Sequence, residues 1–236
     1  MNMAKKAFVA KTRTDISPSD LTFTYGQCKR CFWLKYNKGI STPGFMPLVG
    51  PMSALQEARY RGKSSTTLDP QLSPGLIARF GEGVESTPIR INGLETKWRI
   101  KGKFDLVIEY RNGTVGLVDC KVTTGEINDE KVTHYLPQLE AYCFALENPV
   151  VNLPLTVAHS GLMMWKIDEA TQDEEANNYF STESAFLMVP RQPEWFQNFI
   201  AEVISVLEGP LPEADDKCKN CSFVLHRNLA TAKGNI

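Results

Sequence analysis

Two cysteine pairs of identical form, Cys28-Lys29-Arg30-Cys31 and Cys218-Lys219-Asn220-Cys221, stand nearly two hundred residues apart and bracket most of a 236-residue chain. Each Cys-x-x-Cys holds two thiols at the spacing that ligates one metal centre, and two such pairs together are a strong signal that segments at about 20–40 and 210–225 meet. Any fold for this chain must therefore bring its two ends together. The amino-terminal stretch has lysines but no apolar core long enough for a signal peptide. Nowhere do about 18 uninterrupted apolar residues occur, so a cytoplasmic protein without a membrane partner is expected. In that compartment the six cysteines are reduced, which favours metal ligation over disulfides. Spacing alone leaves tetrahedral Zn²⁺ and an iron–sulfur cluster open. Cys120 and Cys143 lack such spacing and read as small buried residues.

An apolar fraction of 42% supports a sizeable core, and one domain over 1–236 is the expectation. Net charge is −1, with a pI near 6.3, so no global field advertises a nucleic-acid partner. The basic run Lys97, Arg99, Lys101 and Lys103 is the best local footprint for one. Asp168 to Ser184, rich in Asp, Glu and Asn, reads as a surface excursion.

Thr22 or Thr24 is placed to cap a helix running to Lys38 and stopped by Gly39. A second helix is expected through 51–62. Extended segments at 95–102 and 103–110 are followed by Arg111-Asn112-Gly113 and a further strand, a strong hairpin signal. Pro137 is tolerable only in a first turn, so the next helix is predicted to start near Leu136. Two strands follow, and then a helical stripe of Phe196, Phe199, Ile200, Val203 and Leu207 that ends at Gly209 and Pro210. Helices flanking a strand-rich middle favour a mixed α/β core.

Within the strand "GLVDCKVTTG", Asp119 and Lys121 interrupt an apolar run. Side chains alternate along a strand, so these two point the same way. An isolated Asp-x-Lys is most simply a surface ion pair worth about 0–1 kcal/mol. The preceding strand adds Asp105, and hairpin register decides its place. A two-residue Asn112-Gly113 loop sets Asp105 across from Cys120. A three-residue loop with Gly113 in the left-handed position sets it across from Asp119. Two adjacent carboxylates repel unless a cation separates them, and oxygen ligands suit Mg²⁺ or Mn²⁺. Such an ion beside a lysine suits phosphodiester hydrolysis.

These residues resemble the PD-(D/E)XK nuclease superfamily, and within it the RecB-like branch. The likeness rests on Asp105, on Asp119-Cys120-Lys121, on Gln138 and Tyr142 standing as Gln-x-x-x-Tyr, and on the cysteine pairs. It implies a restriction-endonuclease-like α/β core, with a mixed central sheet flanked by helices and its terminal segments joined at the four cysteines. It further implies metal ligation by Asp105, Asp119 and the backbone carbonyl of Cys120, assistance to water by Lys121, and contacts from Gln138 and Tyr142 to the substrate or the lysine. Related iron–sulfur nucleases carry an upstream His or Glu ligand on a helix; Glu57 is the best positional substitute here. They use a [4Fe-4S] cluster, usually with one amino-terminal and three carboxy-terminal cysteines, whereas Cys28, Cys31, Cys218 and Cys221 are arranged two and two. The implied substrate is single-stranded or end-containing DNA, and a place in a larger repair or defence complex is left open. The alternatives are a catalytically degenerate module of the same fold that binds nucleic acid or protein, and a structural zinc protein in which Asp119 and Lys121 only pair.

Overall fold

The computed structural model describes residues 12–41, 49–172 and 178–232. The amino-terminal part supplies a short strand β1 (Asp15–Ile16), a single turn α1 (Pro18–Asp20) running into a π-helical turn over Leu21–Tyr25, and helices α2 (Lys29–Lys38) and α3 (Val49–Tyr60). Strands β2 (Leu76–Phe80), β3 (Gly83–Glu85), β4 (Arg90–Ile91), β5 (Leu94–Glu95), β6 (Arg99–Lys103), β7 (Leu106–Glu109) and β8 (Thr114–Thr123) follow. Helix α4 (Asp129–Glu147), strands β9 (Thr156–Gln172) and β10 (Asn178–Val189), and helices α5 (Pro193–Glu208) and α6 (Lys219–Ala232) complete the order. No helix among the described residues is long and apolar enough to cross a membrane.

The central sheet has the order β10-β9-β8-β7-β2, with a second sheet of β1, β6 and β3. Strands β8 and β9 run parallel, which requires a crossover, and α4 supplies it; the other neighbours in the central sheet are antiparallel. Helices thus flank a mixed sheet. Strand β8 is buried on both faces, which is why it reads as an almost continuous apolar run. Val115 and Leu117 pack with Leu139, Cys143 and Leu146 of α4. Val118 and Cys120 pack on the other side with Tyr60, Ile77, Ile108 and Trp165. By the same alternation Asp119 and Lys121 face α4.

The expected α5 stripe is buried at Phe196, Ile200, Val203 and Leu207, against Phe32 and Tyr36 of α2 and Ala141 and Ala145 of α4. Other boundaries differ from expectation. Helix α2 begins at Lys29 rather than after Thr22 or Thr24, because Cys28 is its N-cap and the π-helical turn precedes it. Helix α4 begins at Asp129, two turns before Leu136, with Pro137 inside it. The acidic Asp129 and Glu130 suit the positive helix start, and burial of Leu136 and Leu139 offsets the hydrogen bond that Pro137 cannot make. The segment 168–184 is largely paired strand within the β9–β10 hairpin, although 173–177 lies outside the described residues. The basic run on and just before β6 is partly neutralised, since Arg99 and Lys101 both pair with Glu85; Lys97 lies over the Trp98 ring.

The β7–β8 hairpin adopts the three-residue register. Leu106 pairs with Val118 and Glu109 with Val115. The Tyr110 N–H donates to the Thr114 carbonyl at 3.0 Å, leaving Arg111, Asn112 and Gly113 as the loop. Gly113 has φ +81°, and Asn112 Oδ1 accepts from the Thr114 N–H and hydroxyl at 3.1 and 2.8 Å. A branched side chain at Gly113 should therefore cost about 1–2 kcal/mol. Denaturant unfolding of Gly113→Val checks this, and an unchanged midpoint would mean that the loop does not depend on the left-handed residue.

Candidate functional site

Continuing the register past Leu106–Val118 sets Asp105 across from Asp119. The Cys120 N–H donates to Asp105 Oδ2 at 2.7 Å, which fixes that carboxylate against β8. Asp119 is 3% exposed. Its Oδ1 accepts from Gln138 Nε2 at 2.8 Å, and its Oδ2 forms an ion pair with Lys121 Nζ. Helix α4 thus sets one side of the site, and its Gln138 binds the aspartate, not the lysine. Tyr142, one turn on, donates instead to the Lys103 carbonyl at 2.7 Å. Its ring lies so close to Gly102 that a Cβ there would meet it at 2.9 Å, so this pair seats α4 on β6.

Burial, and then the charge of Asp119, push the Asp105 carboxyl up to about 7. Burial lowers Lys121 by itself, but the charges of Asp119 and Asp105 outweigh it, and its pKa is raised. Lys121 is therefore an ammonium at neutral pH. Burial raises the Cys120 thiol well above its ordinary value, and Cys120 packs on the face opposite Asp119, so only its backbone is available to a hard ion. Glu57 of α3 pairs with Arg61, just past the helix end, at 3.1 Å, and its other oxygen lies beside Gly81 and the end of Lys103. The Gly81 N–H in turn donates to the Asp105 carbonyl at 2.9 Å, and the charge of Glu57 adds to those of Asp105 and Asp119 at Cys120.

The donor set suits a hard divalent ion. A buried and a half-buried carboxylate meet at one end of a hairpin, and Asp119 Oδ2 has no directed hydrogen bond beyond its ion pair. The raised Asp105 has a consequence for stability. Its carboxyl holds a proton more tightly folded than unfolded, so its stabilising contribution is full below about 4, its ordinary value, and is lost as pH rises through about 7. In EDTA, thermal stability should decline across that window. With Mn²⁺ present, the decline should shrink, and identical profiles with and without Mn²⁺ would argue against a shared cation.

The sequence reading missed two contributors. Gln56, fully buried, donates to the Lys121 and Met163 carbonyls at 3.3 and 3.5 Å and ties α3 to β8 and β9. Tyr135 lies 5.3 Å from Lys121 Nζ, measured to its ring centre. Neither carries a local signal: Gln56 stands in an ordinary helical stretch, and Tyr135 falls before the residue at which Pro137 suggested that α4 begins.

The four cysteines converge. Cys28 Sγ lies 3.8 Å from Cys221 Sγ, and Cys31 Sγ lies 3.6 Å from both Cys218 Sγ and Cys221 Sγ. All four ligand atoms fall within 4.8 Å of one another. Side chains of α2 bring the ends together by capping carbonyls at and beyond the end of α5: Asn37 donates to Leu207, Trp33 to Gly209 and Arg30 to Pro212, at 3.0–3.1 Å. Metal–sulfur bonds of about 2.3 Å place thiolates on one tetrahedral ion about 3.8 Å apart. On a cubane each thiolate sits on its own iron, which requires wider spacing.

A mixed α/β sheet thus brings Asp105, Asp119 and Lys121 together at one end of a hairpin. The family profile of the PD-(D/E)XK nuclease superfamily matches residues 69–224, and the chain belongs to that superfamily. No curated protein sequence matches the chain significantly. Among solved structures, one described as "Crystal structure of SSO0001" is similar at 12% identity, with a TM-score of 0.44, over 86% of this chain and 82% of that one.

Proposed function

We propose that the protein is a Mg²⁺- or Mn²⁺-dependent deoxyribonuclease of the RecB-like kind, acting on single-stranded or end-containing DNA. The observation that carries this reading is the Asp105–Asp119 pair beside Lys121, on a hairpin whose register puts both carboxylates at one end. Asp105, Asp119 and the Cys120 carbonyl would hold the ion, which when bound acidifies a water and polarises a phosphoryl oxygen. Lys121, held protonated, is no general base. It orients the water and offsets negative charge that develops at the phosphoryl group. Gln138 fixes Asp119 so that one carboxylate oxygen stays turned to Lys121 and the ion. Tyr142 acts at one remove, holding β6 to α4.

The test is incubation of end-labelled single- and double-stranded DNA with the protein in EDTA, then with added Mn²⁺ or Mg²⁺. Cutting that appears only with the ion is expected, and no cutting by folded protein would transfer the reading to a second one. That alternative is a nucleic-acid- or protein-binding module without catalysis, and the ion pairs that already occupy Asp119 with Lys121 and Glu57 with Arg61 favour it.

At the cysteines, the short sulfur–sulfur separations support a single tetrahedral Zn²⁺ over the [4Fe-4S] cluster that the resemblance favours. Elemental analysis of anaerobically purified protein distinguishes them: about one zinc per chain without visible absorption, against about four irons with it.

A further inference from the structure

Beside Lys121 lies a group of aromatic rings that the proposed chemistry does not use. Phe23 sits in the π-helical turn before α2 and is 40% exposed. Its ring centre is 5.6 Å from that of His134 and 5.8 Å from that of Tyr135, and the two α4 rings are 4.9 Å apart. All three pairs meet edge to face. His134 is exposed and Tyr135 half-buried, so the cluster lies at the surface rather than in the core. Tyr135 joins it to the site, with Lys121 Nζ 5.3 Å from its ring centre. Lys131, one turn before His134 and Tyr135 on α4, makes no ion pair among the described residues and adds positive charge on the same face. Three surface rings, two ammonium groups and a carboxylate pair are thus continuous. That is the composition of a single-strand binding surface, in which bases stack on rings and cations meet the backbone.

We propose that Phe23, His134 and Tyr135 form a stacking platform for an unpaired base of single-stranded nucleic acid, delivering the adjoining phosphate to Asp119 and Lys121; this deepens the nuclease reading and rests on it. Duplex DNA keeps its bases stacked inside and gains nothing from such a platform. The rings therefore set a preference for single strands.

The test uses the full chain in EDTA with a short oligodeoxynucleotide carrying 2-aminopurine, whose fluorescence falls on stacking. Phe23→Ala is expected to lose on the order of tenfold in single-strand affinity, together with the quench, while duplex affinity changes less than twofold. Phe23→Trp is expected to retain both. Thermal unfolding checks each variant, and His134→Ala, an exposed position, supplies the result if Phe23→Ala fails to fold. Unchanged affinity and quench would overturn the platform, as would equal losses on single strand and duplex, which would mark the rings as structural. A protein that cuts duplex but does not bind single strands would overturn the platform and leave the nuclease reading. Ring-dependent quenching by a protein that cuts nothing would do the reverse.

Discussion

Lys121→Ala should lower metal-dependent cleavage by about 10²–10³-fold, the usual loss when one preorganised charge-stabilising donor is removed. The loss should fall on kcat and on kcat/KM alike, because the ammonium matters most where charge develops. Substrate affinity should change little. Metal affinity should hold or improve, since Lys121 and a divalent ion compete for Asp119 Oδ2. A variant that cuts as well as wild type would remove Lys121 from the chemistry, whereas a variant that merely loses Mn²⁺ would make the lysine a structural partner. Unfolding in EDTA guards the comparison, because without metal or lysine Asp105 and Asp119 face each other uncompensated.

Cys28→Ser has the second large effect. It removes one of four clustered thiols, the ligands of the proposed metal site, where α2 meets the start of α6 close to the two ends of the described chain. Closing a loop of a hundred residues or more by a covalent link contributes about 4–5 kcal/mol in the chain-entropy model, and a metal staple acts by the same constraint. For a chain of this length, a cost of that order lowers Tm by about 10–20 °C, with loss of bound metal. Cys28 also caps α2, with its Sγ accepting from the Cys31 N–H at 3.5 Å, and serine preserves a cap oxygen. The loss is therefore assigned to the ligand rather than the cap. Wild-type Tm with full metal content would show that three thiols suffice.

What the sequence disclosed follows the range of each interaction. The cysteine pairs announce themselves by spacing, and the α5 stripe by its period, because both are local patterns. The hairpin was legible only as a choice between two registers, since Asn112-Gly113 serves a two- or a three-residue loop and only the pairing of Glu109 with Val115 decides. The early start of α4 was hidden by Pro137, whose local cost is offset by tertiary burial. Phe23 and Tyr135 lie more than a hundred residues apart, and nothing in either segment points to the other. Glu57 stands on its expected helix, and its i,i+4 pair with Arg61 depends on tertiary geometry that its segment does not signal.

The central claim is that Asp105 and Asp119 share a divalent cation, and Mn²⁺ binding followed by electron paramagnetic resonance tests it without recourse to cleavage. The wild-type chain should take up one Mn²⁺ that Asp119→Asn fails to bind, with the Asp119→Asn fold intact. Equal Mn²⁺ uptake by both, or none by the wild type at millimolar Mn²⁺, would contradict it.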